Sequence, residues 1–332
     1  MSTIAVLVPP IKTMVEDRKL QPMELAVQNL NSSDILTVFG YDLFIKNNSV
    51  WINGYTYSNH RITEISTTVD SIYDRFPSQS RIAHFKKIYS IGKFIPFSNP
   101  YESTLLARDK VASQRILEAH GCRMPTLITE ADNFQEALKE WGTAFLKPQY
   151  GAFGANVTYC SHTGSIHLPA RIEGLLKGQM EPAILQRAIP QLKGWAGLSV
   201  RQLVQRDIDG SWLLRPAVLR RSFEDPVVNV ARGAEAIAAD TFLSSTCMQE
   251  IATQSLLATE ALSLQKNGHL NVEFGLDFVI DQNECPWLIE VNSRPRGRLA
   301  ELAKINPAKY KKIHQESCVA PIRFLATGSW RI

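Results

Sequence analysis

The chain has 332 residues, which favours two or three domains, and its 45% of hydrophobic residues against 20% of charged ones excludes a largely disordered protein. Lysine and arginine total 36 and aspartate and glutamate total 32, so the excess of 4 positive charges is too small to indicate a nucleic-acid partner. No segment approaches the ~18 consecutive apolar residues of a membrane span, and residues 1–10 lack the basic start of a signal peptide, so we expect a cytoplasmic protein without a membrane partner.

The first predicted unit is a small α/β domain over residues 1–98. Short apolar runs predict strands at residues 4–8, 35–39 and 49–52. The segment that follows, PFSNP at 96–100, is typical of a turn between domains. We therefore expect the first domain to end near residue 98.

A helix is predicted next, over residues 107–121, with Lys110 near its start. Val111, Ile116 and Leu117 have helical spacing, and Gly121 is a typical terminator. We expect residues 99–121 to connect the first domain to the next one.

Residues 145–158 predict a strand, a glycine-containing loop and a second strand, with Lys147 at the end of the first strand. Gly151 and Gly154 would allow close approach of the backbone, and successive N–H groups in such a loop can bind an anion. An ordinary hairpin turn is the alternative explanation, because the segment is neither a Walker loop nor a dinucleotide fingerprint. We expect the surrounding domain, which includes a helix over residues 133–141, to cover residues 122–188.

The third predicted unit covers residues 189–332 and contains two hairpins joined by a long helix over residues 245–266. The first hairpin is centred on an Asp-Gly turn, and a two-residue loop there would place Arg201 opposite Val218 and diagonal to Arg220 on one face. Two cations this close repel each other unless an anion lies between them. The alternative is a pair of surface arginines with solvated head groups.

The second hairpin, over residues 272–292, places three oxygen donors on one surface. Asp277 would lie opposite Glu290, and Asn292 shares the face of Glu290 because the two are two residues apart. Hard oxygen donors in this arrangement suit Mg²⁺ that carries substrate phosphates. The alternative is an exposed polar face of the hairpin.

The five cysteines are scattered and odd in number, and none belongs to a CxxC pair. These features predict reduced, mostly buried thiols and argue against a zinc site. The residues are Cys122, Cys160, Cys247, Cys285 and Cys318.

The order of these segments resembles the ATP-grasp superfamily. The matching pieces are RDK before the connecting helix, GCRMP after it, FLKPQYGAFG, AILQRAI, GLDFVID and WLIEVNSRP. Within the superfamily the chain is similar to the spore-coat-associated (YheC/YheD-type) branch, through YDRFPS, IPFSNP, VRQLVQRDIDGSW and VNVARGAEA. The resemblance covers most of the chain beyond residue 70. It implies an α/β (α+β) protein with an N-terminal α/β pre-grasp domain, a lid subdomain and a C-terminal antiparallel-sheet subdomain.

The resemblance also implies an ATP site between the lid and the C-terminal sheet. Lys110 and Lys147 match the two lysines that bind phosphate. The loop that would cover the β- and γ-phosphates contains Gly151, Phe153, Gly154 and Asn156. Asn156 stands where the family usually has glycine, and asparagine tolerates the left-handed conformation better than most residues. The hinge that would read adenine through its backbone is formed by Gln186, Arg187 and Ala188.

The remaining site residues implied by the resemblance surround the metal and the reacting groups. Asp277, Glu290 and Asn292 would hold Mg²⁺, as two ions that Mn²⁺ could replace, and Arg201 and Arg220 would hold the γ-phosphate and the acyl group that it joins. Asn229 and Arg232 would border the same pocket, or else cap a loop and lie on the surface. Arg294 and its neighbour Arg296 indicate an anionic substrate group, with a solvated loop as the alternative.

An ATP-dependent carboxylate–amine ligase is the activity that the resemblance implies. It would form an amide or peptide bond through an acyl phosphate, from a small-molecule or peptide carboxylate and an amine such as an amino acid or peptide. A phosphotransferase and a non-catalytic coat protein are the alternatives, and the presence of both lysines and all three metal ligands argues against the latter. An oligomer is compatible with the sequence.

Overall fold

The structure of the chain is a computed structural model that describes residues 1–8, 22–27, 30, 34–58, 61–76, 82–150, 155–163, 168–174, 178–192, 194–228, 234–295 and 298–330. Within these residues the framework consists of three β-sheets, built from successive stretches of the chain. Helices pack on the sheets and connect them.

The first sheet has six strands in the order β4-β3-β2-β1-β5-β6. Their bounds are Ser2–Leu7 (β1), Ile35–Lys46 (β2), Ser49–Ser58 (β3), Arg61–Thr68 (β4), Ser71–Asp74 (β5) and Phe97–Ser98 (β6). The predicted strands at 35–39 and 49–52 are confirmed as parts of β2 and β3, and the one at 4–8 is confirmed as β1, which ends one residue earlier than predicted. β1 is parallel to β2 and β5, and β2, β3 and β4 form an antiparallel meander. The turn between β2 and β3 consists of Asn47 and Asn48, both at positive φ, as a two-residue hairpin requires.

The second sheet has the order β10-β11-β8-β9, with β7 beside β11. Its strands are Leu127–Ile128 (β7), Thr143–Pro148 (β8), Thr158–Ser161 (β9), Arg171–Glu173 (β10) and Met180–Arg187 (β11). One helix, Phe134–Trp141, confirms the helix predicted for this region and packs Phe134 and Leu138 against Leu146 and Leu185. Lys147 lies one residue before the end of β8, as the sequence predicted.

The third sheet has the order β15-β14-β12-β16-β17, with β13 beside β12. Its strands are Gly197–Arg206 (β12), Trp212–Leu214 (β13), Val218–Ser222 (β14), Glu235–Ala238 (β15), Glu273–Ile280 (β16) and Pro286–Asn292 (β17). The long predicted helix is confirmed as Ser245–Ser263, which covers one face of this sheet. On the opposite face, two helices (Leu299–Ile305 and Pro307–Thr327) pack near Leu203 and Val218. The candidate site lies on the same face, next to Leu203.

The β12 hairpin has a three-residue loop, so the expected two-residue loop is wrong. Asp207 N donates to Ser211 O at 2.9 Å, and Gly210 adopts a φ of 84° between them. One extra residue between β13 and β14, next to Pro216, compensates for the longer loop. Proline cannot donate a hydrogen bond to the ladder, so the ladder can be interrupted at this point. Arg201 therefore still lies opposite Val218, and Arg220 lies opposite Ser199. The predicted register is confirmed.

The helices pack on the sheets or connect them. In chain order the α-helices of the described residues are Pro22–Val27 (α1), Ile82–Ile91 (α2), Tyr101–Arg108 (α3), Lys110–Ala119 (α4), Phe134–Trp141 (α5), Ser245–Ser263 (α6), Leu299–Ile305 (α7) and Pro307–Thr327 (α8). The end of α8 returns to the first sheet, where Ile322 and Leu325 pack with Ile4 and Val6. The domain boundaries 1–98, 99–121, 122–188 and 189–332 stay a prediction, and α8 shows that the last stretch contacts the first one.

Buried polar contacts join the first sheet to the third. Glu273 on β16 accepts hydrogen bonds from Tyr73 Oη at 2.7 Å and from Arg75 Nη1 at 2.8 Å. Arg294 Nη2 forms an ion pair with Asp74 Oδ2 at 2.6 Å. We call these residues the sheet joint.

All five cysteines are free thiols, which confirms the prediction of reduced cysteines. Burial raises the pKa of Cys122 to about 11 and that of Cys247 to about 12. These thiols are therefore poor nucleophiles near neutral pH. Among the helices of the described residues, none has both the length and the apolar character of a membrane-crossing segment.

Candidate active site

The site lies on one face of the third sheet, where neighbouring strands bring distant residues together. Asp277 on β16 lies opposite Glu290 on β17 and opposite Arg201 on β12. Asn292 lies opposite Gly275, two residues before Asp277. The predicted pairing of Asp277 with Glu290 is confirmed. The alternating neighbours Leu276 and Val291 belong to the core on the other face, so the period of the strand separates the polar and apolar residues.

Asp277 is bound by both arginines that the sequence placed near the substrate. Arg201 donates through Nε to Asp277 Oδ1 and through Nη2 to Oδ2, both at 2.5 Å, and Arg220 Nη2 donates to Oδ1 at 2.7 Å. All three side chains are at most 11% exposed, which excludes the surface-arginine alternative. Burial opposes ionisation of Asp277, but Arg201 and Arg220 hold the pKa of its carboxyl below the usual value.

Two buried polar atoms beside this ion-pair cluster lack a partner within the described part of the chain. They are Arg220 Nε and the hydroxyl of Ser199, which lies opposite Arg220 in the ladder. An unpaired buried donor costs free energy, so its presence beside a cluster of charges indicates a place for an acceptor group. Sequence reasoning missed Ser199, although its position two residues before Arg201 put it on the same face.

Asp277, Glu290 and Asn292 fit a hard divalent cation in their chemistry. Asn292 Nδ2 faces Asp277 Oδ2 at 3.3 Å and Gly275 O at 3.5 Å, which leaves its side-chain oxygen as the donor for a cation. No three His, Cys, Asp or Glu side chains gather as a metal cluster in the described ranges. A cation here would therefore need the amide oxygen of Asn292 as its third protein ligand, and oxygen donors favour Mg²⁺ or Mn²⁺ over zinc.

Lys110 and Lys147 lie close enough to each other and to Glu290 for their charges to interact. Burial lowers the pKa of both lysines, while Glu290 raises it for both. For Lys147, the charge of Lys110 adds to burial, and its pKa falls to about 8. Two buried ammonium groups that repel each other are stabilised by an anion between them, which is the environment that a phosphate group would supply.

The start of α4 is tied to the end of β8, and this tie positions both lysines. Asp109 caps α4 by accepting from Val111 N and Ala112 N, each at 3.1 Å, and its Oδ1 also accepts from Gln149 Nε2 at 2.9 Å. Lys110 N donates to Gln149 O at 3.2 Å, and Lys110 Nζ donates to Pro148 O at 3.2 Å. Sequence reasoning missed Gln149, which no local pattern marks.

The predicted phosphate loop is described only at its end. Gly151, Phe153 and Gly154 lie outside the described residues, so their role stays a prediction. Asn156 has a φ of 57°, the left-handed conformation that its side chain was expected to tolerate. Its Nδ2 donates to Glu173 O at 2.9 Å and to Gly174 O at 3.0 Å, and these bonds anchor the end of the loop to the second sheet.

The predicted hinge lies at the end of β11 and already uses two of its amides. Arg187 N donates to Thr126 O at 2.9 Å, and Ala188 N donates to Thr143 O at 3.1 Å. Gln186 is buried, and its side chain accepts from Lys147 Nζ at 2.5 Å. Contacts of Arg187 and Ala188 with adenine stay a prediction, and they would have to come from carbonyl oxygens.

The three predicted substrate residues differ in what the structure shows. Asn229 and Arg232 lie outside the described residues, as does Arg296. Arg294 is 9% exposed and paired with Asp74 in the sheet joint. The solvated-loop alternative is therefore wrong for Arg294, and its contact with substrate stays a prediction.

Comparison with protein families identifies the fold family of most of the chain. The sequence model described as "YheC/D like ATP-grasp" matches residues 123–326. No curated protein sequence matches the chain.

Solved structures of similar fold include three amino-acid ligases. VanG D-Ala:D-Ser ligase from Enterococcus faecalis gives a TM-score of 0.60 at 13% identity, covering 98% of this chain and 99% of that one. D-alanine–D-alanine ligase from Bacillus anthracis, complexed with ATP, gives 0.54 at 15% identity and 98% of each chain. D-alanyl-alanine synthetase A from Vibrio cholerae gives 0.55 at 12% identity, covering 97% and 98%. At these identities the likeness shows the fold, and the expected ATP-grasp architecture is confirmed.

Proposed function

The chain belongs to the YheC/D-like ATP-grasp family, and we propose that it is an ATP-dependent carboxylate–amine ligase that forms an amide bond and releases ADP and phosphate. The structures of similar fold include ligases of D-alanine and D-serine. We extend that substrate class to this chain, with an amino acid or peptide as the amine and a small-molecule or peptide carboxylate as the acid.

The observation that carries the proposal is a surplus of buried positive charge at one place. Lys110, Lys147, Arg201 and Arg220 carry four positive charges, and Arg108 and Arg298 lie close enough to add two more. The carboxylates that interact with these groups are those of Asp277, Glu290, Glu181 and Asp109, so positive charges exceed negative ones by two. Arg220 Nε also lacks an acceptor within the described residues. A ligase of this class must bring a carboxylate against a triphosphate, and cations between the two anions offset their repulsion.

The metal ligands would be Asp277, Glu290 and Asn292. Bound there, Mg²⁺ supplies neutralisation of phosphate charge and alignment of the transferred group. Because Arg201 and Arg220 already bind the oxygens of Asp277, they must share that carboxylate with the cation. With a cation held at Asp277, Arg201 and Arg220 would be able to turn toward the substrate anions.

The reaction that these residues support has two steps. An oxygen of the substrate carboxylate attacks the γ-phosphorus while the bond to the β–γ bridging oxygen breaks, which gives an acyl phosphate and ADP. Lys110 and Lys147 would hold the phosphates during this transfer, and Arg201 and Arg220 would hold the carboxylate and the transferred group. The amine nitrogen then attacks the acyl carbon, the carbon–oxygen bond to phosphate breaks, and the amine loses a proton as the amide forms.

The second sheet, with its loop after β8, would act as a lid over the nucleotide. An acyl phosphate hydrolyses in water, so a covered site would protect it until the amine arrives. The ties from Gln149 and Asn156 hold both ends of the loop region to the framework.

The proposal is tested by incubating the protein with ATP, Mg²⁺ and a mixed pool of amino acids and analysing the products by mass spectrometry. We expect a condensed amide together with ADP. A phosphorylated small molecule without an amide would replace the ligase with a phosphotransferase. No product and no ADP would favour a non-catalytic coat protein. Asp277→Asn protein serves as the control for contaminating activity.

A further inference from the structure

A buried chain of hydrogen bonds leads from Lys147 to helix α4, and Gln114 is its middle member. Lys147 Nζ donates to Gln186 Oε1 at 2.5 Å, and Gln186 Nε2 donates to Gln114 Oε1 at 3.3 Å. Gln114 Nε2 then donates to Pro125 O and to Glu118 Oε1, both at 2.8 Å. The chain therefore connects β8, β11 and α4.

The groups at the two ends fix the direction of every bond in this chain. The ammonium of Lys147 can only donate, so it must face the oxygen of Gln186. At the other end, a carbonyl and the carboxylate of Glu118 can only accept, so they must face the amide nitrogen of Gln114. Both glutamine side chains then have one orientation that satisfies all members.

Burial makes this orientation costly to change. Lys147, Gln186 and Gln114 are 8%, 3% and 5% exposed, so water cannot easily replace a lost partner. If the amide of Gln186 turned over, its NH₂ group would face the ammonium of Lys147, and two donors would meet without an acceptor. The carbonyl of Gln114 prevents this by holding the NH₂ group of Gln186.

We propose that Gln114 is a positioning residue for nucleotide binding, which acts through Gln186 to hold the ammonium of Lys147 toward the phosphates. Gln114 would not touch the nucleotide itself. The neutral oxygen of Gln186 orients Lys147 without neutralising it, so the positive charge stays available to an anion. This inference rests on the proposed function, because it takes Lys147 to be a phosphate-binding lysine.

The test uses Gln114→Met, which keeps the length of the side chain and removes its hydrogen bonds. We expect the Kd of a non-hydrolysable ATP analogue with Mg²⁺, measured by calorimetry, to rise about fivefold to tenfold, the size of one weakened hydrogen bond. The KM for ATP should rise with it while kcat changes by less than about twofold, because lost ground-state binding affects KM.

A double-mutant cycle separates positioning from a structural role. If Gln114 acts through Gln186, the double variant Gln114→Met with Gln186→Met should bind nucleotide no more weakly than Gln186→Met alone. Gln114→Leu, which also removes the hydrogen bonds of this side chain, should raise the Kd by the same fivefold to tenfold. This second variant also keeps the test usable if the methionine variant does not fold.

Gln254 offers a matched control on another helix. It is 6% exposed, accepts from Arg123 N at 2.8 Å and donates to Glu250 Oε1 at 3.5 Å. Gln254→Met should lower the melting temperature and leave nucleotide affinity unchanged, because the hydrogen bonds of Gln254 within the described residues do not lead to a lysine of the site.

Three results would overturn the inference: an unchanged Kd in Gln114→Met, additive losses in the double variant, or an equal loss in Gln254→Met. If the wild-type protein itself binds no nucleotide, or if Lys147→Met binds it normally, the proposed function or the role of Lys147 is wrong instead. The two failures are therefore distinguishable.

Discussion

The sheet joint and the candidate site both contain buried arginines and carboxylates, but they differ in charge balance. In the joint, Arg75 and Arg294 face Glu273 and Asp74, two cations against two anions. In the site, Lys110, Lys147, Arg201 and Arg220, with Arg108 and Arg298 nearby, interact with the carboxylates of Asp277, Glu290, Glu181 and Asp109, six cations against four anions. The direct ion pairs of the joint balance each other, whereas the site has two more positive than negative charges.

This difference indicates which buried charges hold the fold and which ones are available to a ligand. A buried ion pair that is complete within the protein costs most when one partner is removed. A buried surplus of one sign is tolerated when an external group of the opposite sign binds there. Substitutions in the joint should therefore change stability, and substitutions in the site should change binding and turnover.

The largest effect is expected in the joint. Asp74→Asn would leave the buried guanidinium of Arg294 without its carboxylate, and we expect the free energy of unfolding to fall by about 3–5 kcal/mol. Urea denaturation measures this. Asp240→Asn removes an exposed partner of Lys309 and should cost less than about 1 kcal/mol. Equal losses in the two variants would remove the contrast between joint and surface.

Removing a cation from the site should affect catalysis more than stability. With an acid that supports turnover and with hydroxylamine in place of the amine, Arg220→Ala should lose about 2–4 kcal/mol of transition-state stabilisation in hydroxamate formation. Arg221→Ala is the matched control, because Arg221 pairs with Glu235 at 2.8 Å on the other face of β14. Normal hydroxamate formation by Arg220→Ala would exclude this arginine from the reaction.

Measurements of metal binding should show whether a cation competes with Arg201 and Arg220 for the carboxylate of Asp277. Arg201→Met removes both hydrogen bonds of this arginine to Asp277 and leaves only Arg220 on Oδ1. We expect the affinity of the nucleotide-free protein for Mn²⁺ to rise about tenfold, ~1.4 kcal/mol. Titration followed by electron paramagnetic resonance measures it. Lys147→Met removes a charge without a bond to Asp277 and should raise the affinity by less than about threefold. If Asp277→Asn binds Mn²⁺ as tightly as wild type, Asp277 is not a metal ligand.

The smallest effect concerns pH. The pKa of Lys147 is about 8, below its ordinary value of 10.5, because burial and Lys110 outweigh the carboxylate of Glu290. Nucleotide affinity should therefore weaken as pH rises through about 8, by about 1 kcal/mol as the charge contribution is lost. Without nucleotide the sign is opposite: the unfolded chain keeps the proton up to a higher pH, so stability rises above pH 8.

Calorimetric titration of an ATP analogue at pH 7 and pH 9 tests this prediction. Lys147→Met should show a flatter pH dependence than the wild-type protein. The same slope in both proteins would assign the titration to another group, such as Lys110.

Local patterns were sufficient to predict several parts of the site. The pairing of Asp277 with Glu290 followed from the turn and from the two-residue period of the strands, which fixes the face of each side chain. The register of Arg201 with Val218 was right even though the loop length was wrong, because one extra residue beside Pro216 offset the third loop residue. A local pattern does not show where such a compensating residue will lie.

The sequence by itself therefore determined the family, several of the strands, the free thiols and the face on which the charged residues lie, because these depend on motif order and short-range periodicity. Only the tertiary structure decided which charges are partners. The contacts of Asp74 with Arg294, of Asp277 with Arg201 and Arg220, and of Gln114 with Gln186 join elements far apart in the chain. Such pairs depend on how whole sheets and helices pack, because packing decides which buried polar groups can satisfy one another.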